Sequence, residues 1–336
     1  MVFLTTLVGA LLGTFPMPGT GRAAPVYPIS PRPLRMLVEE SEFILTASVR
    51  FPNGEVSPSD TRFPEIDEAL RGLTIPAGVA PERVILEVDQ ILKGDPGTRA
   101  IEQLNSKMVC PAPAEYLVGT RVLAFLDRNK KSTGFKTHAL SYGSKTLDED
   151  GLKIYIQRVT EQLAILSMPL NERRANQIEW LVKCAEHPTT CWEGAYELAP
   201  AGDFMSEFDE QRGSANAFAS GLSEEQRARL YNALLAATSF GPGERCLDEL
   251  FNQDEDPRLL AWLVSQLRAN AGEVERESYG VAWMLIQRIA RRDSRREVQE
   301  LVRAFEQRQT FEFWKKEDAR NAPERLRIVR DLLKLY

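Results

Sequence analysis

No ionisable side chain precedes Arg22, and residues 2–17 (VFLTTLVGALLGTFPM) carry no charge at all. Imidazole is scarce too, with only His138 and His187 in 336 residues. Four cysteines occur, Cys110, Cys184, Cys191 and Cys246. Each shortage excludes something. Two histidines leave few general bases, and no G-x-S-x-G, H-E-x-x-H, P-loop or dinucleotide fingerprint points to other catalytic machinery. With no cysteine before Cys110, lipid attachment to a cysteine at an N-terminal cleavage point is ruled out. The net charge is −6, with both halves mildly acidic, so the chain lacks the basic face of a general nucleic-acid binder. At 43% apolar and 27% charged, the composition leaves no room for a disordered or collagenous chain.

The uncharged head has a positive meaning. Val2–Leu12 matches the ~7–15 residues of a signal h-region and falls short of the ~20 that a spanning helix needs. Gly13, Pro16 and Pro18 then break any helix, and Gly21 and Ala23 fit the −3 and −1 positions of a cleavage site. The basic residue that usually precedes the apolar run is missing. Residues 1–23 are expected to be a signal peptide, with a mature start at Ala24, no membrane span after cleavage, and export to the periplasm or medium.

Beyond the head, the hydrophobic period changes once. Phe43–Val49, Arg83–Asp89 and Thr120–Leu126 read as strands, with Arg99–Leu104 and Gly134–Leu140 as shorter candidates and a short helix over Pro33–Glu40. Five strands in about 100 residues imply a small barrel. Pro52, Pro58, Pro64, Pro76 and Pro81 mark residues 52–82 as a long insertion rather than a strand. From Leu152 the period is helical, with runs up to Pro169 and at Ala175–Ala185, Cys191–Leu198, Glu224–Thr238, Pro257–Ala269, Val281–Arg292, Arg295–Arg308 and Glu324–Leu335. Thr190-x-x-Glu193, Ser223-x-x-Gln226 and Ser294-x-x-Glu297 read as capping boxes, and Asp256-Pro257 as a cap with proline at the first position. The expected class is α+β with two domains, an OB-like β-barrel over 33–147 and an all-α domain of irregular, HEAT-like hairpins over 152–336.

The strand half resembles the netrin / tissue-inhibitor-of-metalloproteinases OB-fold group in its bacterial secreted form, over residues 33–142. Ser41–Val49 matches the first strand after a short helix. Val84–Gly94, ending Leu92-Lys93-Gly94, matches the strand and its "LKG" turn. Cys110 followed by Val118–Leu126 matches the cysteine and Gly-led strand. The resemblance implies the barrel and a protein-binding habit. It does not extend to metalloprotease inhibition, because the inhibitors chelate zinc through an N-terminal Cys and Ala24-Pro25 has none nearby.

In an oxidising compartment four cysteines imply disulfides. Cys184 ends one helix and Cys191 begins the next, so these two are the expected pair, with Cys110–Cys246 as a second possible staple. Cys184-x-x-His187-x-x-x-Cys191 also holds zinc-type ligands, but the spacing matches no strong signature and no metal or cofactor is expected. His187, before Pro188, reads as a helix-end residue, and His138 as an exposed, inert strand residue. Arg288, Arg291, Arg292, Arg295 and Arg296 form the one basic cluster, a candidate patch for an acidic partner. The functional expectation is an exported, soluble, non-enzymatic module that binds another protein. The alternative is an exported hydrolase with its site at the domain junction.

Overall fold

A computed structural model of the chain describes residues 31–52, 80–105, 113–130, 134–200, 218–271, 280–308 and 316–336. The expected signal segment 1–23, most of the 52–82 insertion, and Cys110 lie outside the described residues. The first part folds as α1 (Leu34–Glu40), β1 (Phe43–Arg50), β2 (Arg83–Lys93), β3 (Ala100–Leu104), β4 (Arg121–Arg128), β5 (Phe135–Thr137) and β6 (Ser144–Leu147). The strand β6 was not expected, because Ser144-Lys145-Thr146-Leu147 has no β-branched or aromatic run to announce it. The strands form one antiparallel, barrel-like sheet in the order β3-β2-β1-β4-β5, with β6 paired to the other end of β4. That order, nearly closed with a gap between β3 and β5, fits the OB-fold.

Alternation decides what fills the barrel. Phe43, Leu45, Ala47 and Val49 of β1 point inward to meet Val84, Leu86, Ile101, Val122, Ala124 and Leu126. Ile44, Leu123 and Phe125 point the other way and pack under Leu34, Leu37 and Val38 of α1. β1 and β4 are therefore buried on both faces, as the nearly continuous apolar run at Thr120–Leu126 predicts. Register shifts at Ile44/Leu45 and Thr46/Ala47 mark bulges that bend β1 against β2. The Leu92-Lys93-Gly94 turn also has a physical reason. Lys93 Nζ donates to the carbonyls of Val38 and Ser41 at 2.7 and 2.6 Å, placing a cation at the C-terminus of α1. Gly94 has φ +70°, and a Cβ there would sit 2.5 Å from the Glu42 carbonyl.

Helices follow: α2 (Glu149–Ser167), α3 (Leu170–Glu186), α4 (Cys191–Leu198), α5 (Glu224–Ala236), α6 (Pro242–Leu250), α7 (Pro257–Asn270), α8 (Gly280–Arg292), α9 (Arg296–Glu306) and α10 (Lys316–Leu333). The unexpected α6 opens on Pro242-Gly243, a pair that hides a helix in sequence. Proline costs nothing at the first position, and Glu244 accepts from the Gly241 N–H at 2.9 Å. Of the expected caps, the Ser223/Gln226 box and the Asp256 cap form. The Thr190/Glu193 and Ser294/Glu297 boxes do not. Glu193 turns away to other partners, and Asp293 rather than Ser294 receives the Arg295 N–H.

The apolar core does not break at Leu147. One cluster runs from Ile44, Leu123 and Phe125 through α1 to Tyr155, Val159, Trp180 and on to the last helices. Among the described residues no helix is long and apolar enough to cross a membrane.

Candidate functional site

Among the described residues, the sheet's path leaves a seam between its two end strands, β3 and β5. The Asn105 N–H donates to the Glu82 carbonyl and the Arg99 carbonyl accepts from the Val88 N–H, so odd-numbered residues of β3 bond to β2. By alternation the N–H and C=O of Glu102 and Leu104 aim at the seam, where no described strand pairs with β3. On the other rim, the His138 N–H bonds to Phe125 and the Gly134 carbonyl to Asn129, both on the β4 side. Phe135 and Thr137 therefore turn their backbone groups to the seam.

Among the described residues, side chains bridge the gap. Gln103 donates to the Phe135 carbonyl at 3.4 Å and accepts from Thr137 Oγ1 at 3.5 Å, while Thr137 Oγ1 also lies 2.6 Å from the hydroxyl of Tyr116, outside β3. The seam opens into a groove of about 420 Å³ that includes Leu104, Phe135 and Lys136. Leu104 is 63% exposed, and among the described residues only Leu170, at 80%, is a large apolar side chain more open to water. Sequence reasoning placed β3 and β5 but missed the site. The one readable signal was phase, since alternation in Ala100–Leu104 puts Gln103 inside and Leu104 outside.

A second polar cluster joins the sheet to the helices. Glu193 of α4 is 2% exposed and accepts from the Leu34 N–H at 2.7 Å, Tyr155 Oη at 2.9 Å and Lys145 Nζ at 2.8 Å. One turn on, Glu197 pairs with Arg35 at 2.6 Å, and Arg35 also holds Glu39 at 2.8 Å. Burial pushes the Glu197 carboxyl up to about 7, outweighing the opposite pull of Arg35. The sign follows from linkage. Between the ordinary value of 4.5 and about 7, folded Glu197 keeps a proton that the unfolded chain has released. Stability from this group therefore falls as pH rises through that window, at up to about 1.4 kcal/mol per pH unit. Urea midpoints at about pH 5 and about pH 8 should show this fall in the natural chain and lose it in Glu197→Gln. An equal fall in both proteins would assign it elsewhere.

His138 is not the inert, exposed residue that its strand position predicts. Its ring lies 2.9 Å from Asp127 and 3.2 Å from Glu40, bridging the barrel to α1. His187 does end α3 as its C-cap residue, and its Nδ1 accepts from the Thr189 N–H at 3.2 Å to open the turn that follows.

The basic cluster is divided by the fold. Arg288 and Arg292 are buried on Asp248, with Arg292 Nη2 2.9 Å from Oδ1. Arg295 lies on Asp293 at 2.7 Å and over the Tyr336 ring, Arg291 lies 3.6 Å from Glu249, and Arg296 bonds Glu300 at 2.7 Å. The five arginines do not share one face: two belong to the core and three carry acidic partners of their own.

The expected Cys184–Cys191 bond is not present. Cys184, Cys191 and Cys246 are buried thiols, and no disulfide joins them. Cys184 packs against Gly194 of α4, while the sulfur of Cys191 faces Gly243 of α6. Cys110, proposed partner of Cys246, lies outside the described residues.

Comparison with protein-family models, with curated proteins and with solved structures finds no match to this chain.

Proposed function

We propose that the chain is an exported, non-enzymatic protein-binding module, an OB-like barrel domain followed by a domain of HEAT-like helical hairpins, and that the β3 rim takes an extended segment of a partner protein as an added strand, the Gln103 bridge to β5 giving way to it. The resemblance of residues 33–142 to the netrin / tissue-inhibitor group agrees with a protein-binding barrel. The observation that carries the reading is the β3 rim. It offers main-chain donors and acceptors at Glu102 and Leu104 beside an exposed leucine. An edge left open in this way is a template for strand addition. Main-chain bonds would give affinity, and the Leu104 and Phe135 side chains would select alternate residues of the guest.

The test is selection of a random 12-residue peptide library on the immobilised full chain. Enriched peptides should protect the Glu102 and Leu104 amides from hydrogen exchange. They should lose binding when alternate peptide amides are N-methylated, while the intervening positions tolerate it. Leu104→Asp should weaken binding about tenfold or more with little effect on stability, because the side chain is exposed. Protection confined to another surface, or no enrichment at all, would overturn the reading.

A further inference from the structure

The helix pair α4–α6 holds two cysteines on one contact. The crossing is close: a Cβ on Gly243 would lie 2.6 Å from Cys191 Sγ, 2.8 Å from its Cβ and 2.8 Å from the Trp192 nitrogen. Gly243 and Cys246 are three residues apart on α6 and so share a face, with Cβ positions about 5–6 Å apart. The face of α6 that touches the Cys191 sulfur is therefore the face that carries Cys246. Both side chains are buried in the same core. Burial pushes the Cys191 thiol up, and the neighbouring Glu244 and Cys246 add to that push. The charged groups that act on Cys184 are Arg158, Glu193, Glu161 and Glu197, none of them a cysteine.

We propose that Cys191 and Cys246 are this chain's disulfide-forming pair, in place of Cys184–Cys191. The bond goes beyond the seam reading and does not depend on it. The oxidant is a disulfide-bearing thiol compound. One cysteine attacks its disulfide to give a mixed disulfide and release one thiol. The second cysteine then attacks the mixed disulfide, closing the Cys191–Cys246 bond and releasing the other thiol. Two electrons pass to the oxidant, and the two cysteine protons end on its two released sulfurs. Buried thiols with raised pKa react slowly, so the bond closes as α6 comes onto α4, before the contact is sealed from the oxidant.

The experiment refolds the full, reduced chain in mixed reduced and oxidised glutathione. Remaining thiols are blocked with N-ethylmaleimide under denaturing conditions, and the digest is mapped by mass spectrometry. A linked Cys191–Cys246 peptide pair is expected, whatever the state of Cys110 and Cys184. It should be absent from Cys191→Ser, and the oxidised natural chain should melt above the reduced one while Cys191→Ser shows no such difference. A Cys184–Cys191 or Cys110–Cys246 link, or four alkylated cysteines, would overturn the proposal. The mapping of the natural chain decides even where a serine variant fails to fold.

Discussion

Glu193→Ala is expected to lower unfolding stability by about 3–5 kcal/mol, the cost of removing one partner from a buried ion pair. The carboxylate is the meeting point of four elements. It accepts from the first amide of α1, from Tyr155 of α2 and from Lys145 of β6, while itself belonging to α4. Alanine strands all three donors. The Lys145 ammonium keeps the Trp192 ring, 5.6 Å away, as its neighbour, but loses its carboxylate. The Leu34 N–H, an orphan at the start of a seven-residue helix whose Pro33 offers no side-chain cap, loses its acceptor. Tyr155, whose phenol is already pushed up by burial and by the Glu193 charge, loses the acceptor for its hydroxyl. Glu193→Gln should cost less, since its amide oxygen can stand at the Oε2 position and accept from the Leu34 N–H, while the Tyr155 hydroxyl turns to accept from the amide NH2 and Lys145 loses its acceptor. Urea unfolding with unchanged m-value measures the effect. Hydrogen exchange adds the location, because α1 should lose protection before the interior of the barrel does. A loss below about 1 kcal/mol for the alanine variant would mean that water replaces the carboxylate and that the junction is held by apolar packing alone.

Much of this architecture was legible in the chain. Phe43–Val49 and Thr120–Leu126 are long enough, and apolar enough, to admit one reading, and β1 and β4 lie within a residue or two of it. The strand β6 and the helix α6 were not legible, the first because four mixed residues carry no period, the second because Pro242-Gly243 reads as a turn. The harder failures are tertiary. Thr190-x-x-Glu193 has the residue types of a capping box, and nothing local reveals that Glu193 is needed some 160 residues away at Leu34. The seam was hidden for a related reason. Strand existence is a local property, whereas which two strands end the sheet is decided by the order in which they pair. Cys184 and Cys191 are near in sequence, but a helix at each sulfur sends them to different neighbours.

The arginine cluster shows the same limit and supports the second large effect. Arg288 and Arg292 are one helical turn apart on α8, so they share a face, and that face is turned to α6. There Asp248, with no exposed side-chain surface, bonds Arg288 Nε and lies at ion-pair distance from Arg292, which also donates to the Phe251 carbonyl at 3.1 Å. Burial raises the Asp248 carboxyl and lowers the Arg292 guanidinium, each against the pull of its partners. Removing the carboxylate in Asp248→Ala leaves two guanidinium groups facing each other without a counter-charge. The expected loss is about 3–5 kcal/mol, read as a fall in the denaturant midpoint. Arg296→Ala, at the exposed end of the same cluster, should cost under about 0.5 kcal/mol, since its pair with Glu300 is solvent-screened. The contrast separates a buried tie between α6 and α8 from a surface patch. A further variant makes the argument two-sided. Asp248→Leu combined with Arg288→Met and Arg292→Met removes the charges together, and such apolar replacements of buried ion groups are often neutral or stabilising. The triple variant should therefore recover most of the loss seen with Asp248→Ala. If it unfolds as readily as the single variant, the arginines contribute through their hydrogen bonds and stacking, such as Arg288 over Phe240 at 5.3 Å, rather than through charge.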